Sequence, residues 1–123
     1  MISEYLSDIN KKFQKELNAG IGALLLLSAL NNSNGPLYGY QIAKVIEESS
    51  GGRPVIKLGT LYPVLRSLEE NSLLKSEVEP SVTGPPRRYY QITEQGRKTL
   101  EHWIEIWSKT KNFVDKHLKK GQQ

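Results

Sequence analysis

The first part of the chain repeats apolar residues at three- and four-residue steps. This spacing predicts an amphipathic helix over residues 1–18. A second apolar run, residues 21–30, follows a glycine-containing stretch that weakens the period. The pattern leaves open whether residues 3–31 form one kinked helix or two. The first stripe consists of Ile2, Tyr5, Leu6, Ile9, Phe13 and Leu17.

Two shorter helices are predicted after a breaker rich in Asn and Gly at residues 31–36. They cover residues 38–50 and 60–72, and the first ends at a Ser-Gly-Gly stop. Pro63 would lie in the first turn of the second helix, where a missing N–H costs nothing. Their apolar stripes consist of Ile42, Val45 and Ile46 in the first and of Leu61, Val64, Leu65 and Leu68 in the second.

The hydrophobic period then changes from helical to alternating. Residues 74–79 and 89–92 alternate on either side of a Pro- and Gly-rich turn, which predicts a β-hairpin. Thr93 is a suitable cap for a last helix over residues 94–118, with a frayed tail after it. The apolar stripe of that helix consists of Leu100, Trp103, Ile104, Trp107, Val114 and Leu118, with Ile106 and Phe113 beside it.

This order of elements predicts a mainly α fold with a small β-hairpin, a winged helix-turn-helix flanked by two helices. The single domain would comprise an N-terminal helix (1–18), the winged helix (20–93) and a C-terminal helix (94–119). In such a fold the helix of residues 60–72 enters the major groove of DNA and the hairpin contacts the phosphate backbone. Its outward face would carry Thr60, Tyr62, Arg66 and Ser67, and the hairpin would add Arg87 and Arg88.

Composition narrows the classes of function. The chain has 123 residues, no cysteine and a net charge of +4, of which +3 falls in residues 94–123. The absence of cysteine excludes disulfides, thiol catalysis and Cys-based zinc sites. No local signature of an enzyme is present. His102 and His117 are too far apart for metal ligands, so we expect neither metal nor cofactor. The longest apolar run has ten residues, half of a membrane span, so we expect a cytoplasmic protein.

Four motifs in order resemble the PadR family of transcription regulators. They are GPLYGYQI at residues 35–42, GTLYPVL at 59–65, LEE at 68–70 and RRYYQITEQG at 87–96. The resemblance covers about residues 20–100. It implies a homodimeric winged-helix repressor that binds a palindromic operator in double-stranded DNA and is released by a small molecule. It adds Tyr38 and Pro63 to the expected DNA contacts, and Lys57, which departs from the family pattern, is expected to add a phosphate contact.

The resemblance also implies that the last helix, and often the first, forms the dimer interface. The chain is similar to the small subgroup with one C-terminal helix, in which some members bind planar aromatic drugs between tryptophans. Trp107 stands where such a tryptophan would be, four residues after Trp103, so the pair is either a hydrophobic seam or the lining of a ligand pocket. The expected interface consists of Ile9, Phe13, Leu100, Trp103, Ile104, Trp107, Val114 and Leu118.

Three positions depart from the family pattern. Many members have a capping Ser where this chain has Lys57 and Leu58. The wing of the family has another Arg where this chain has Pro85 and Pro86. A Gly usually follows the recognition helix, here residues 60–72, where this chain has Ser72. The depleted wing keeps a second hypothesis open, a winged-helix module that binds proteins rather than a DNA sequence.

Overall fold

The computed structural model describes residues 2–52 and 56–121 as four helices and a three-stranded sheet. The predicted winged helix-turn-helix with long flanking helices is confirmed. The elements in chain order are α1 (Ile2–Asn31), β1 (Leu37–Tyr38), α2 (Gly39–Ser49), α3 (Leu58–Glu70), β2 (Leu74–Glu79), β3 (Arg87–Ile92) and α4 (Glu94–Gly121).

The N-terminal helix α1 is one unbroken helix of 30 residues, which answers the question that the sequence left open. Its two halves have different surroundings. Residues 3–17 are exposed, whereas Leu26 and Leu27 near the other end are fully buried. The second half of α1 is therefore a core element of the winged helix, and the first half extends beyond it.

The core lies where α1, α2, α3 and the start of α4 meet the sheet. The predicted stripe of α3 is buried, with Leu61 and Leu65 at 0% exposure. In α2 the stripe is narrower than predicted, because Val45 is 40% exposed while Ile42 and Ile46 are buried. The buried residues are Leu26, Leu27, Ala29, Leu30, Ile42, Ile46, Leu61, Leu65, Leu68, Leu73, Leu74, Tyr90, Ile92 and Leu100.

The sheet is antiparallel with the strand order β1-β3-β2, so β3 is its central strand. Leu74 pairs with Ile92 at one end of the hairpin and Glu79 with Arg87 at the other. Strand β1 was not predicted. Tyr38, expected as the first residue of a helix, has an extended backbone and pairs with Tyr89.

Two predicted helix bounds were wrong. Helix α3 begins at Leu58 rather than residue 60, so Pro63 is its sixth residue and lies beyond the first turn. The carbonyl of Gly59 consequently receives no hydrogen bond from position 63. Helix α4 continues to Gly121 instead of fraying after residue 118, and the last two residues lie outside the described ranges.

Helix α3 ends in a Schellman motif. The N–H of Ser72 donates to the carbonyl of Glu69, and that of Leu73 donates to the carbonyl of Leu68, both at 2.9 Å. Ser72 has a φ of 63°, in the left-handed region where glycine is favoured. Gly51 holds the same position after α2, with a φ of 77°. The departure from the family pattern at Ser72 therefore places a side chain on a backbone conformation suited to glycine.

Candidate nucleic-acid interface

The outward face of α3 is exposed, whereas the opposite face packs against the core. Tyr62 is 44% exposed, and Thr60, Pro63, Arg66 and Ser67 are exposed as well. All five were predicted to contact DNA. Because Leu61, Leu65 and Leu68 on the opposite side are buried, the helix is held firmly while its polar face is open to a partner.

The start of α3 lacks a side-chain cap. Lys57 occupies the N-cap position with an extended backbone, and its side chain makes no capping hydrogen bond. The carbonyl of Lys57 accepts hydrogen bonds from Thr60 and Leu61, both at 2.9 Å. An exposed lysine beside the positive end of a helix dipole gives this end of α3 an electrostatic preference for anions.

Tyr62 packs tightly over the first residue of α2. A β-carbon built on Gly39 would lie 2.5 Å from the Tyr62 hydroxyl oxygen and 2.7 Å from the ring carbon that carries it. Real β-carbons essentially never come this close to a neighbour, so a side chain at position 39 would require the Tyr62 ring to shift. Tyr62, predicted as a DNA contact, thus also fixes the approach of α3 to α2.

The two wing arginines lie on opposite faces of the sheet. They are the first residues of β3, opposite Glu79 and Val78, and successive strand residues point to opposite sides. Arg87 therefore shares a face with Tyr89, and Arg88 shares a face with Tyr90. The sequence interpretation, which grouped them at the wing tip, did not separate their roles.

Arg87 stacks on aromatic rings at the outer face of the sheet. Its guanidinium carbon lies 4.5 Å from the centre of the Tyr38 ring. That ring meets Tyr89 edge to face, with centres 5.5 Å apart. The structure thus places Tyr38, an expected DNA contact, in a cation–π arrangement that holds Arg87 at the edge of the wing.

Arg88 points toward α3 and joins a short hydrogen-bonded chain. Its guanidinium donates to the Ser76 hydroxyl at 3.0 Å, and that hydroxyl donates to a carboxylate oxygen of Glu69 at 2.6 Å. These two hydrogen bonds connect β3 through β2 to the last turn of α3. Sequence reasoning missed Ser76 and Glu69, although the strand alternation already put Ser76 on the same face as Leu74.

Tyr90 lies beneath these hydrogen bonds and is 6% exposed, so it belongs to the core. Burial raises its pKa above the ordinary value of 10.0, while the charge of Arg88 acts in the opposite direction. A recess between α3 and the wing is lined by Tyr62, Arg66, Glu69, Arg88 and Tyr90.

The apolar stripes at the two chain ends are largely exposed. Residues on the expected interface such as Ile9 (44%) and Phe13 (63%) in α1 are exposed. In α4 the same holds for Ile104, Ile106, Trp107, Phe113, Val114 and Leu118, at 41–63% exposure. Leu100 is different, because it is only 4% exposed and belongs to the core of its own chain. It therefore leaves little surface for the dimer contact that the sequence predicts.

The two tryptophans of α4 do not line one cavity within a single chain. Trp103 packs against the core and lines a cleft with Ala23 of α1 and with Val64 and Ser67 of α3. Trp107 lies outside this cleft and is 41% exposed. Ser67 is thus on the flank of α3 that faces α4.

Within residues 2–52 and 56–121, no helix is long and apolar enough to cross a membrane. In the same ranges, no three His, Asp or Glu side chains converge as a metal site would require.

The chain matches the model of the transcriptional regulator PadR-like family over residues 26–102. A search among curated proteins found no match. Among solved structures, a PadR family transcriptional regulator from Eggerthella lenta is 34% identical, with a TM-score of 0.78, covering 94% of this chain and 96% of that one.

A transcriptional regulator from Clostridium thermocellum is 35% identical, with a TM-score of 0.72 over 82% of this chain and 93% of that one. PadR from Bacillus subtilis, solved in complex with operator DNA, shares the fold at 24% identity and a TM-score of 0.60. That match covers 68% of this chain and 46% of that one.

Proposed function

Because the chain belongs to the PadR-like family of transcriptional regulators, which are not enzymes, we propose that it binds operator DNA through α3 and the wing. The observation that carries this proposal is the division of α3 into two faces. Leu61, Leu65 and Leu68 of its apolar stripe are buried, and its polar face exposes Thr60, Tyr62 and Arg66. A helix held in this way is suited to the major groove.

The electrostatics of the same face support a DNA partner. The start of α3 combines an exposed Lys57 with the helix dipole, and the wing adds Arg88 next to α3 and Arg87 on the other face of the sheet. This sorting of charge matters more than the net charge of the chain, because most of the excess lies in α4. A related fold, PadR from Bacillus subtilis, was solved with operator DNA.

We further propose that the protein is a homodimer on a palindromic operator. Exposed apolar side chains recur along residues 3–17 of α1 and along α4 from Ile104 onward, and contiguous apolar surface of this kind marks protein interaction sites. A two-fold dimer would cover both stripes and present two copies of α3, which is why its operator would be palindromic. The interface would include Ile9, Phe13, Ile104, Trp107, Val114 and Leu118, with Trp103 at its border.

Repression and its release by a planar aromatic effector complete the proposal. The cleft beside Trp103 reaches Ser67 on α3, so a ligand bound there would contact the helix that binds DNA. Trp107 would join it only in the dimer. Quenching of tryptophan fluorescence by a panel of planar aromatic compounds, lost in Trp107→Phe, would support the ligand site, and unchanged emission would count against it.

Selection of genomic DNA fragments followed by fluorescence anisotropy tests the main proposal. We expect binding to a palindromic fragment, at least tenfold tighter than to a scrambled one. Arg66→Ala should weaken that binding by about 1–3 kcal/mol. Lys98→Ala, an exposed cation on α4, is the matched control and should leave it unchanged. No preference for any fragment would overturn DNA reading and favour the protein-binding module instead.

A further inference from the structure

The recess between α3 and the wing brings together residues from three elements. Tyr62, Arg66 and Glu69 come from α3, while Arg88 and Tyr90 come from β3. Strand β2 closes the arrangement through Ser76, which contacts both Glu69 and Arg88. The recess opens on the face that the proposed function assigns to DNA.

We infer that this recess binds one backbone phosphate of the operator, held jointly by Arg66 and Arg88. The inference rests on the proposed function and makes it more specific. Arg66 would then be a phosphate contact rather than a reader of guanine. The same phosphate would contact the recognition helix and the wing, and so fix both in one register on the duplex.

The chemistry of the lining fits a phosphodiester. Arginine guanidinium groups carry five N–H donors in a planar fork that matches two phosphate oxygens. Arg88 has one such contact to Ser76, which leaves several donors for a ligand. Tyr62 also lines the recess. Both arginines are exposed, so a phosphate can reach them.

The charge balance also fits a single phosphate. Two arginines and one carboxylate line the recess, which gives it a net charge of about +1 against the single negative charge of a phosphodiester. The carboxylate of Glu69 would repel a phosphate if it pointed into the recess. One of its oxygens, however, accepts the hydrogen bond of Ser76 and is thereby directed toward the wing.

Ser76 and Glu69 act here as positioning residues. The Ser76 hydroxyl accepts a hydrogen bond from Arg88 and donates one to Glu69, so the arginine is oriented before DNA arrives. A side chain that is already ordered loses less entropy on binding than a free one. Removing the Ser76 hydroxyl should therefore weaken DNA binding only while Arg88 is present.

Arg87 is a control supplied by the fold. It is adjacent to Arg88 in sequence and has the same charge, but it lies on the other face of the sheet, over the Tyr38 ring. A contact in the recess requires Arg88 and not Arg87. A diffuse attraction to the DNA backbone would respond equally to both.

The test replaces operator phosphates one at a time by neutral methylphosphonates and measures each affinity by fluorescence anisotropy. With the wild-type protein, we expect one position in each half-site to cost at least fivefold. That cost should disappear in Arg66→Ala and in Arg88→Ala and persist in Arg87→Ala. In Ser76→Ala it should be reduced, whereas Ser76→Thr, which keeps the hydroxyl, should retain most of it.

Additivity gives a second readout. If both arginines hold the same phosphate, the fold-loss of DNA affinity in the double variant Arg66→Ala/Arg88→Ala should be smaller than the product of the two single fold-losses. Independent losses, together with a methylphosphonate cost that survives in Arg66→Ala or Arg88→Ala, would overturn the shared site. If the wild-type protein binds no DNA, the proposed function itself fails, and this outcome is distinct from normal DNA binding without the shared phosphate.

Discussion

The main-chain carbonyl of Ser72 accepts a hydrogen bond from the Thr93 hydroxyl at 2.7 Å. This contact joins the turn after the recognition helix to the cap of α4. The same hydroxyl oxygen accepts a hydrogen bond from the N–H of Gly96, so Thr93 caps α4, as the sequence predicts, and also holds the end of α3. The two helices that would serve DNA binding and dimerisation are therefore joined through one side chain.

Ser72→Gly should stabilise the protein. A side chain at a left-handed φ costs about 1 kcal/mol, and glycine removes that cost without disturbing the two hydrogen bonds of the Schellman motif. We expect a gain of about 1 kcal/mol in the free energy of unfolding, measured by urea denaturation. Asn71→Gly, at the preceding position with a negative φ, is the matched control and should give no gain. A loss of stability in Ser72→Gly would contradict the backbone argument.

Gly96→Ala should strongly destabilise the protein. A β-carbon at this position would collide with the carbonyl oxygen of Leu73 and lie 2.7 Å from a side-chain carbon of Ile92. Because one of these neighbours is backbone, the start of α4 would have to move away, at a cost of about 2 kcal/mol or more.

Gly20→Ala is the control for that substitution. Gly20 is also helical, but no atom lies within 4 Å of the position of its β-carbon. Alanine there should raise stability by up to about 1 kcal/mol, since it is the better helix former. Equal effects of the two substitutions in thermal unfolding would rule out close packing at Gly96.

Gly39→Ala should weaken DNA binding by displacing the Tyr62 ring. We expect about a tenfold loss of operator affinity in anisotropy, with little change in unfolding, because Gly39 is in the first turn of α2. The double variant Gly39→Ala/Tyr62→Ala separates this effect from others. If the collision is with Tyr62, adding Gly39→Ala to Tyr62→Ala should cause no further loss of operator affinity. Fully additive losses of affinity would refute the contact.

The stability of the protein should depend on Tyr90 at alkaline pH. Its pKa is raised in the folded state, so folding favours the protonated phenol. The stabilisation from Tyr90 is thus complete below the unfolded pKa near 10 and is lost as pH rises toward the folded pKa. Tyr90→Phe should show a smaller fall in unfolding free energy between pH 9 and pH 11. The same fall in both proteins would exclude Tyr90 as its source.

Ile104→Glu should separate the proposed dimer into monomers without unfolding them. Ile104 is 53% exposed in the single chain, so a charge there costs the fold little but cannot be buried at an interface. Sedimentation equilibrium should show the monomer mass. Leu100→Ala, one turn earlier, should instead cost about 2–5 kcal/mol of fold stability, because Leu100 is in the core. A dimer that survives in Ile104→Glu would move the interface elsewhere.

Periodicity was sufficient to predict the long elements and their order. The stripes of α1, α3 and α4 and the alternation of the hairpin are local signals, and each was strong enough to identify its element. Strand β1 has only two residues and forms because its backbone pairs with β3. No local pattern could show this, so Tyr38 was assigned to a helix.

The sequence supplied candidate residues for the site but not their arrangement. Arg66, Arg87 and Arg88 were identified by type and position. The role of Ser76, however, depends on a contact between two strands and a helix, which is a property of tertiary packing. Leu100 shows a second limit of the sequence prediction. The apolar stripe of α4 is continuous in sequence, and the pattern does not show that Leu100 lies in the core of its own chain while later residues of the stripe are exposed.

The continuity of α1 limits which operators the proposed dimer could bind. A straight helix of 30 residues is about 45 Å long, and its second half is fixed in the same core as α3. If its first half is fixed in the dimer interface, the distance between the two copies of α3 can change only if α1 bends. Inserting one base pair between the operator half-sites moves them by about 3.4 Å and also rotates them, so a protein built on this helix should tolerate little variation in spacing.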